Sequence, residues 1–413
     1  MTVLISRTTR LAAVGLLLFL GAGAGILSFS KTWTGKSTPL RTKESLTKRS
    51  DNNDGTYEVT LSPVGTVRFS HPPQRIVTQD ANYNDMLVAC GSEKGLVATG
   101  YANNSYDAFY AQLPGTRISS LPPDVTFLNS AAGGGFDKER LYSLHADIHH
   151  IDPMQLAAAR GWSRADVEEI ACNVGPFFAN RYSRDNAYPG KDPYEFYTLW
   201  ELSDKVGQVY REENRIAALK VVGDKLVSDI QARLPPIENR PRVALIYYSN
   251  GRITPYSLSR GGFGQAQYAA VGARDVFGDG KIATYGDAGG RGAVLDIEGL
   301  LSINPDVIIM PLAIYGKPGS GQGGRAAYEQ FLKLQTDPLG QRLKAFQDRH
   351  VYPGGTPLQG PIFFLFQTEM AAKQIYPAIF GIYRDDQQYP PDERLFDRSR
   401  ISEILTTEEG REK

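Results

Sequence analysis

Apolar and polar positions follow two different periods along this chain, and the switches between them outline its elements. Tyr57-Glu-Val-Thr-Leu61 and Thr66-Val-Arg-Phe69 alternate every second residue around Pro63 and Gly65, which predicts a hairpin. Arg75-Ile-Val-Thr78 and Gly95-Leu-Val-Ala-Thr99 read as strands flanking a helix from Asn82 to Cys90 that stops at Gly91. Ser163 is placed to cap a helix reaching Cys172, and an extended Val174 to Ala179 follows it. A second series opens with Arg242-Val-Ala-Leu-Ile-Tyr-Tyr248, an apolar run suited to a central parallel strand. It continues through helix Gln265 to Val271, strand Asp306 to Met310, helix Tyr328 to Phe346, strand His350 to Tyr352 and a closing helix Phe363 to Ile375. Strands alternating with helices predict parallel sheets covered on both faces.

Between the two series lies the longest helical signal, from about Ser203 to Leu234, ended by Pro235-Pro236. Val206, Val209, Tyr210, Ile216, Leu219, Val222, Leu226 and Ile230 fall mostly three and four apart, which makes one buried stripe. At 1.5 Å per residue such a helix is roughly 45 Å long and spans from one lobe to another. Gly207 and Gly223 weaken the pattern without breaking it.

One phrase is written twice, from Phe136 to Ile148 and from Leu295 to Val307. The pairs Asp137/Asp296, Glu139/Glu298, Leu141/Leu300, Ser143/Ser302 and Asp147/Asp306 share a single offset of 159 residues. A period that long is no solenoid repeat. It predicts two similar lobes, each with a short helix, a break and a buried strand, and it places Glu139 and Glu298 at equivalent points.

Charge and cysteines narrow the class. The formal net charge is zero over 413 residues, but residues 1–50 hold eight Lys/Arg against Glu44 alone, leaving 37 basic and 44 acidic residues in the body. A mildly acidic body without a basic stripe argues against a nucleic-acid partner. Arg7 and Arg10 precede an uncharged run from Leu11 to Phe29, which reads as an export signal or an uncleaved membrane anchor. No Cys follows the apolar run, and six Lys/Arg lie beyond it against two before it, opposite to the expectation for an exported anchor. Residues 30–55 read as a solvated tether. Cys90 and Cys172 are the only cysteines, too few for a Cys-only metal centre; in an oxidising compartment they are placed to form one disulfide, or they stay buried and free.

Several of these fragments together resemble the substrate-binding proteins of ABC importers for iron–siderophore complexes, haem and cobalamin. Pro73-Gln-Arg-Ile-Val77 with Asn84-Asp-Met-Leu-Val-Ala-Cys-Gly91 looks like that family's opening strand and helix, and Leu300 to Met310 looks like its helix and Pro-Asp-strand phrase. Phe346 to Tyr352 and Gln374-Ile-Tyr-Pro-Ala-Ile-Phe380 fit as well, so the resemblance runs from about residue 60 to 382. It implies an α/β fold of two Rossmann-like lobes with central parallel sheets, joined by one long α-helix, with the ligand cleft between them. The corresponding division is 56–194 for the first lobe, 195–236 for the connecting helix, 237–385 for the second lobe and 386–413 for a peripheral tail. It further implies a monomer outside the cytoplasm, touching the membrane only through the N-terminus, that carries a ferric siderophore or related metal chelate to an ABC permease and its ATPase. In such proteins a Glu on each lobe pairs with basic permease residues, and those positions match Glu139 and Glu298. A first-turn Glu also favours its own helix dipole, a local role worth roughly 0.3 to 1 kcal/mol.

In open α/β sheets ligands sit beyond the carboxyl ends of strands. The loops there carry Gln79 to Asn82, Tyr101 and Asn103, Asp152-Pro-Met, Arg181, Tyr182 and Arg184, Tyr248 and Arg252, Tyr285 and Arg291, and Tyr315. Arginine forks suit oxyanions and tyrosine faces cover flat ligand surfaces, a chemistry that fits an anionic ferric chelate ahead of a corrinoid or haem. His145, His149 and His150 fall where the copied phrase expects a helix end and strand, and adjacent strand side chains face opposite ways, which argues against direct metal ligation. Gly319-Ser-Gly-Gln-Gly-Gly324 lacks the Lys-Ser/Thr of a phosphate loop. No catalytic motif and no cofactor motif stands out, so an enzyme or a membrane-tethered sensor on the same fold is the alternative of another class.

Overall fold

In the computed structural model the described residues are 50–51, 55–101, 106–129, 136–183, 193–258, 260–288, 292–314 and 323–406. The chain enters through an antiparallel hairpin, β1 (Tyr57–Leu61) and β2 (Gly65–Phe69), whose register runs from Tyr57 opposite Phe69 to Leu61 opposite Gly65. Alternation turns Tyr57, Val59 and Leu61 into the core. Ser50–Asp51 pairs along this hairpin, so the end of the stretch read as tether is an edge strand.

The first lobe carries a four-stranded, wholly parallel sheet. Its strands are β3 (Ile76–Thr78), β4 (Leu96–Thr99), β5 (Thr126–Phe127) and β6 (Ile148–His150), in the spatial order β5-β4-β3-β6. Helix α1 (Ala81–Ala89) crosses from β3 to β4, α2 (Lys138–Ser143) precedes β6, and α3 (Pro153–Ala158) and α4 (Arg164–Asn173) follow it. Growth from β3 runs outward in both directions, which makes the β3/β6 border a topological switch point.

The single helix expected over 203–234 is instead a helical hairpin, α5 (Leu199–Tyr210) and α6 (Glu213–Gln231). Arg211 ends α5 in the left-handed region at φ 59°, and the Glu212 N–H closes on the Gly207 carbonyl at 2.9 Å. The Arg211 guanidinium sits 4.4 Å from the Tyr57 ring centroid, which holds the break against the hairpin. The two glycines that weaken the helical pattern are the points of closest approach. A Cβ on Gly207 would lie 2.8 Å from Ile216, and one on Gly223 would lie 2.5 Å from the Trp200 ring. One apolar stripe thus folds back on itself and is buried between antiparallel helices. α6 alone runs from the first lobe, where Arg215 abuts Gly91, to the second, where Gln231 bonds Ala270.

The second lobe has the order β9-β8-β7-β10-β11, built from β7 (Arg242–Ser249), β8 (Arg252–Tyr256), β9 (Tyr285–Ala288), β10 (Val307–Met310) and β11 (Val351–Pro353). Strands β7, β10 and β11 are parallel as expected, but β8 is antiparallel to β7. Asn250-Gly251 makes this tight turn with φ of 50° and 79°, the pairing that a two-residue hairpin requires. The sheet is therefore mixed.

The doubled phrase adopts one structure twice, in α2 with β6 and in α8 (Ile297–Ile303) with β10. Asp137 and Asp296 cap their helices, accepting the N–H of Glu139 at 3.0 Å and of Gly299 at 2.8 Å. Leu141 and Leu300 are fully buried. Ser143 and Ser302 donate back three residues, to Arg140 and Gly299. Asp147 accepts the Arg75 N–H and Asp306 the Arg242 N–H, each at 2.8 Å, tying phrase to first strand. The same arginines return their side chains to the helix ends, Arg75 to the Leu144 carbonyl and Arg242 to that of Ile303. Cations at helix C-termini are favoured by the dipole. Even the break repeats, since His145 and Asn304 are left-handed at φ 47° and 45°.

The lobes meet on α10 (Pro361–Ile375), every residue of which is buried. In the first lobe, Asp85 of α1 accepts the N–H groups of Ile362 and Phe363 at 2.9 and 3.1 Å, and Tyr106 stacks on Phe363 at 3.8 Å. α7 (Ala266–Ala270) and α9 (Gly323–Leu332) complete the second lobe. The last segment is not peripheral as the tail was expected to be. α11 (Arg398–Thr406) docks into the main core through Ile401 and Ile404.

Candidate functional site

The polar groups of greatest interest converge at the β3/β6 switch point. Asp80 follows β3 and occupies the N-cap of α1, yet its side chain caps nothing. It accepts the Arg181 Nε–H at 2.7 Å instead, and both side chains are largely buried. Asp152 follows β6; its Oδ1 caps α3 through Met154 and Gln155, while Oδ2 accepts the Arg181 backbone N–H at 2.9 Å and the Tyr194 hydroxyl. The Tyr194 oxygen in turn accepts the N–H groups of Arg181 and Tyr182 at 2.8 and 3.0 Å. Arg181 is therefore fixed twice, in its backbone by Asp152 and Tyr194 and in its guanidinium by Asp80. Its two Nη groups have no partner among the described residues.

Charge and burial act together on these groups. Burial alone would weaken the Arg181 cation, but the Asp80 charge outweighs it and keeps the guanidinium protonated above its ordinary value. Burial pushes the Tyr101 phenol up to about 12, with Asp80 adding to the rise and Arg181 opposing it. Tyr285, across on the second lobe, is also raised by burial and lowered by Arg181. It lies stacked on Tyr256 at 4.9 Å. Arg181 thus lies within electrostatic range of Tyr101 and of Tyr285 on the second lobe. A planar cation whose two Nη groups have no partner among the described residues is suited to hold a pair of acidic oxygens.

The other expected contacts fare differently. Tyr182 is buried edge-on against Tyr194, a packing position. Tyr248 lies in β7 and packs on Phe331 at 5.4 Å, while Arg252 is exposed on the shoulder of the β7/β8 turn, because this stretch is a hairpin and not a cleft loop. Asn103, Arg184, Arg291 and Tyr315 lie outside the described residues. Cys90 and Cys172 are both free, the first buried at the end of α1 and the second exposed on α4, so the disulfide is not formed. His149 and His150 point to opposite faces, stacked on Phe177 and Tyr83, and burial lowers each to about 4. His150 is engaged at both ring nitrogens, with the Phe178 carbonyl and the Tyr210 hydroxyl.

Asp80, Asp152 and Tyr194 are the functional candidates that pattern reading missed. Two of them lie within loops already singled out, and an Asp two residues beyond each switch-point strand was the available signal. Two cavities lie elsewhere, one of about 670 Å³ in the second lobe around Arg260, Tyr268 and Asp275, and one of about 830 Å³ between α6 and the segment at Pro391–Arg400. In the first, Arg260 is already paired with Asp287 and Thr284. The Arg181 guanidinium, held by its Nε at the switch point of the parallel sheet, and not cavity size, marks the candidate site. Glu139 and Glu298 stand apart from it, exposed in the first turns of α2 and α8, their carboxylates making no hydrogen bond or ion pair among the described residues.

No protein-family model and no curated protein sequence matches the chain. Solved structures do. A periplasmic binding protein from Veillonella parvula aligns at TM-score 0.54 with 16% identity, covering 80% of this chain and 99% of that one. An iron-uptake ABC transporter substrate-binding protein from Streptococcus pneumoniae aligns at 0.52 with 15% identity, covering 80% and 99%. A structure described as an ABC-type Fe3+-hydroxamate transport system from Saccharomonospora viridis aligns at 0.50 with 16% identity, covering 74% and 94%. The chain has the two-lobed α/β fold of the periplasmic substrate-binding proteins of ABC importers.

Proposed function

We propose that this protein is the extracytoplasmic binding component of an ABC importer, that it captures a metal chelate, foremost a ferric siderophore, and that it delivers the chelate to a permease. The observation that carries the proposal is Arg181, locked by Asp80 at the switch point of the first lobe, with two Nη groups that have no partner among the described residues and with Tyr101 and, on the second lobe, Tyr285 within its electrostatic range. Such a fork recognises the carboxylate, hydroxamate or catecholate oxygens of a chelate, and the tyrosines shield its flat faces. The shared fold with iron-uptake binding proteins supports the same ligand class.

Delivery rests on the doubled phrase. Two exposed carboxylates at equivalent positions of equivalent helices give a two-point surface, and free charges of this kind set orientation and encounter rate more than affinity. The test is an uptake assay with Glu139→Ala and Glu298→Ala combined. Ligand affinity stays intact and uptake collapses; undiminished uptake refutes the docking role. Export by the apolar N-terminal stretch belongs to the same proposal, and protease accessibility in intact cells checks it.

A further inference from the structure

We infer that the C-terminal segment from Pro390 to Thr406 is a strap that fixes the two lobes relative to each other. This concerns how far the lobes move and stands whether or not the chain carries a chelate. Arg398 is the crossing point. Its Nη2 meets Glu369 of α10 at 2.7 Å with both side chains buried, and its Nη1 donates at 2.6 Å to Gln112, which follows the short Asp107–Tyr110 helix of the first lobe. The guanidinium also lies over the rings of Phe366 and Phe396, at 5.1 and 5.5 Å. One cation from the C-terminal segment thereby joins a carboxylate of the second lobe to an amide of the first.

Further contacts prevent the strap from lifting. The other Glu369 oxygen accepts the Leu395 N–H at 2.6 Å. Lys373, fully buried one turn further along α10, donates to the carbonyls of Phe380 and Glu393 at 2.7 and 2.8 Å. Phe366 is covered on one side by Phe109 of the first lobe and on the other by Phe396 of the strap, with centroids 5.4 and 5.0 Å away. Beyond this, Ile401 and Ile404 share a core with Leu219 and Leu226 of α6, the helix that crosses between lobes. A wide opening of the lobes would have to part Arg398 from Gln112 and uncover Phe366. Opening would leave an N–H of the buried Arg398 without its acceptor, which is expensive, so the arrangement favours one interlobe geometry.

The experiment uses the full chain with two spin labels, one on native Cys172, which is exposed on the first lobe, and one introduced by Lys333→Cys on the second; Cys90 is buried and stays unlabelled. The distance distribution between the labels is measured in this background and with Gln112→Ala, Arg398→Ala or, as a surface control on the same helix, Arg400→Ala. A narrow distribution is expected in the parent and the control, and a broadened one in Gln112→Ala. Amide exchange over residues 106–112 rises about tenfold in that variant, the factor one hydrogen bond to a charged group commands. Arg398→Ala strands Glu369 and tests the same point only if it folds; Gln112→Ala leaves the buried ion pair whole and decides the matter. An unchanged distribution and unchanged exchange in Gln112→Ala overturn the inference.

Discussion

Asp85 offers the sharpest test of how the lobes are joined. Its carboxylate lies fully buried at the N-terminus of α10, accepting the Ile362 and Phe363 N–H groups and the Tyr110 hydroxyl. Gly360 leaves it room, since a Cβ there would lie 2.5 Å from its Oδ2. Burial raises its carboxyl from 3.8 to about 6, outweighing the three hydrogen bonds that favour the ionised form. The folded protein therefore holds this proton more tightly than the unfolded chain does. The resulting stabilisation is fully present below 3.8, declines as pH rises and is gone above about 6. Its size, from the distance between the two values, is about 3 kcal/mol. Asp85→Asn removes the titration while its Oδ1 still accepts from α10 and its amide still faces Tyr110. Urea unfolding at about pH 3.5 and about pH 7.5 should therefore find the variant near parity with the parent in acid and more stable by about 3 kcal/mol at the higher pH. If the variant is instead the less stable protein at the higher pH, the dipole of α10 holds the carboxylate ionised and burial does not dominate.

Further consequences are open to measurement. Arg181→Ala should weaken chelate binding by about a hundredfold or more, because it removes the fork and leaves Asp80 buried without its cation, while Asp80→Asn should cost roughly tenfold by releasing the guanidinium; titration by quenching of intrinsic fluorescence reads both. Gly223→Ala drives a Cβ into the Trp200 ring and should destabilise the α5/α6 hairpin by about 1–3 kcal/mol in a urea melt, with the far-ultraviolet helix signal of the native state unchanged. Asp306→Asn loses the ion pair with Lys344 while keeping an acceptor for the Arg242 N–H, so its effect on stability should stay below about 1 kcal/mol.

Local chemistry was legible in the sequence, and long-range pairing was not. The doubled phrase could be read because its identical residues act on their near neighbours, with Asp137 and Asp296 capping a turn and Ser143 and Ser302 bonding back three residues. The strands and the closing helix were visible for the same reason. The break at Arg211 carries no Pro or Gly, and the stripe of one straight helix looks the same as that of two helices folded face to face. Asn250-Gly251 was legible as a hairpin, but its place after an apolar strand made a cleft loop the natural reading. The charged appearance of the last residues concealed Ile401, Ile404 and the pairing of Arg398 with Glu369. Nothing local announces that Asp80 will meet Arg181, about a hundred residues away, because only closure of the parallel sheet brings β3 beside β6.

The proposed role in chelate capture is tested most directly by metal analysis and an absorption spectrum of the full protein purified from its native host. Bound iron with a visible charge-transfer band, lost together with the metal in Arg181→Ala, is the predicted result. A porphyrin or corrin spectrum would reassign the ligand, and protein that retains no metal chelate and cannot be loaded with ferric hydroxamate, catecholate or citrate complexes would contradict the account.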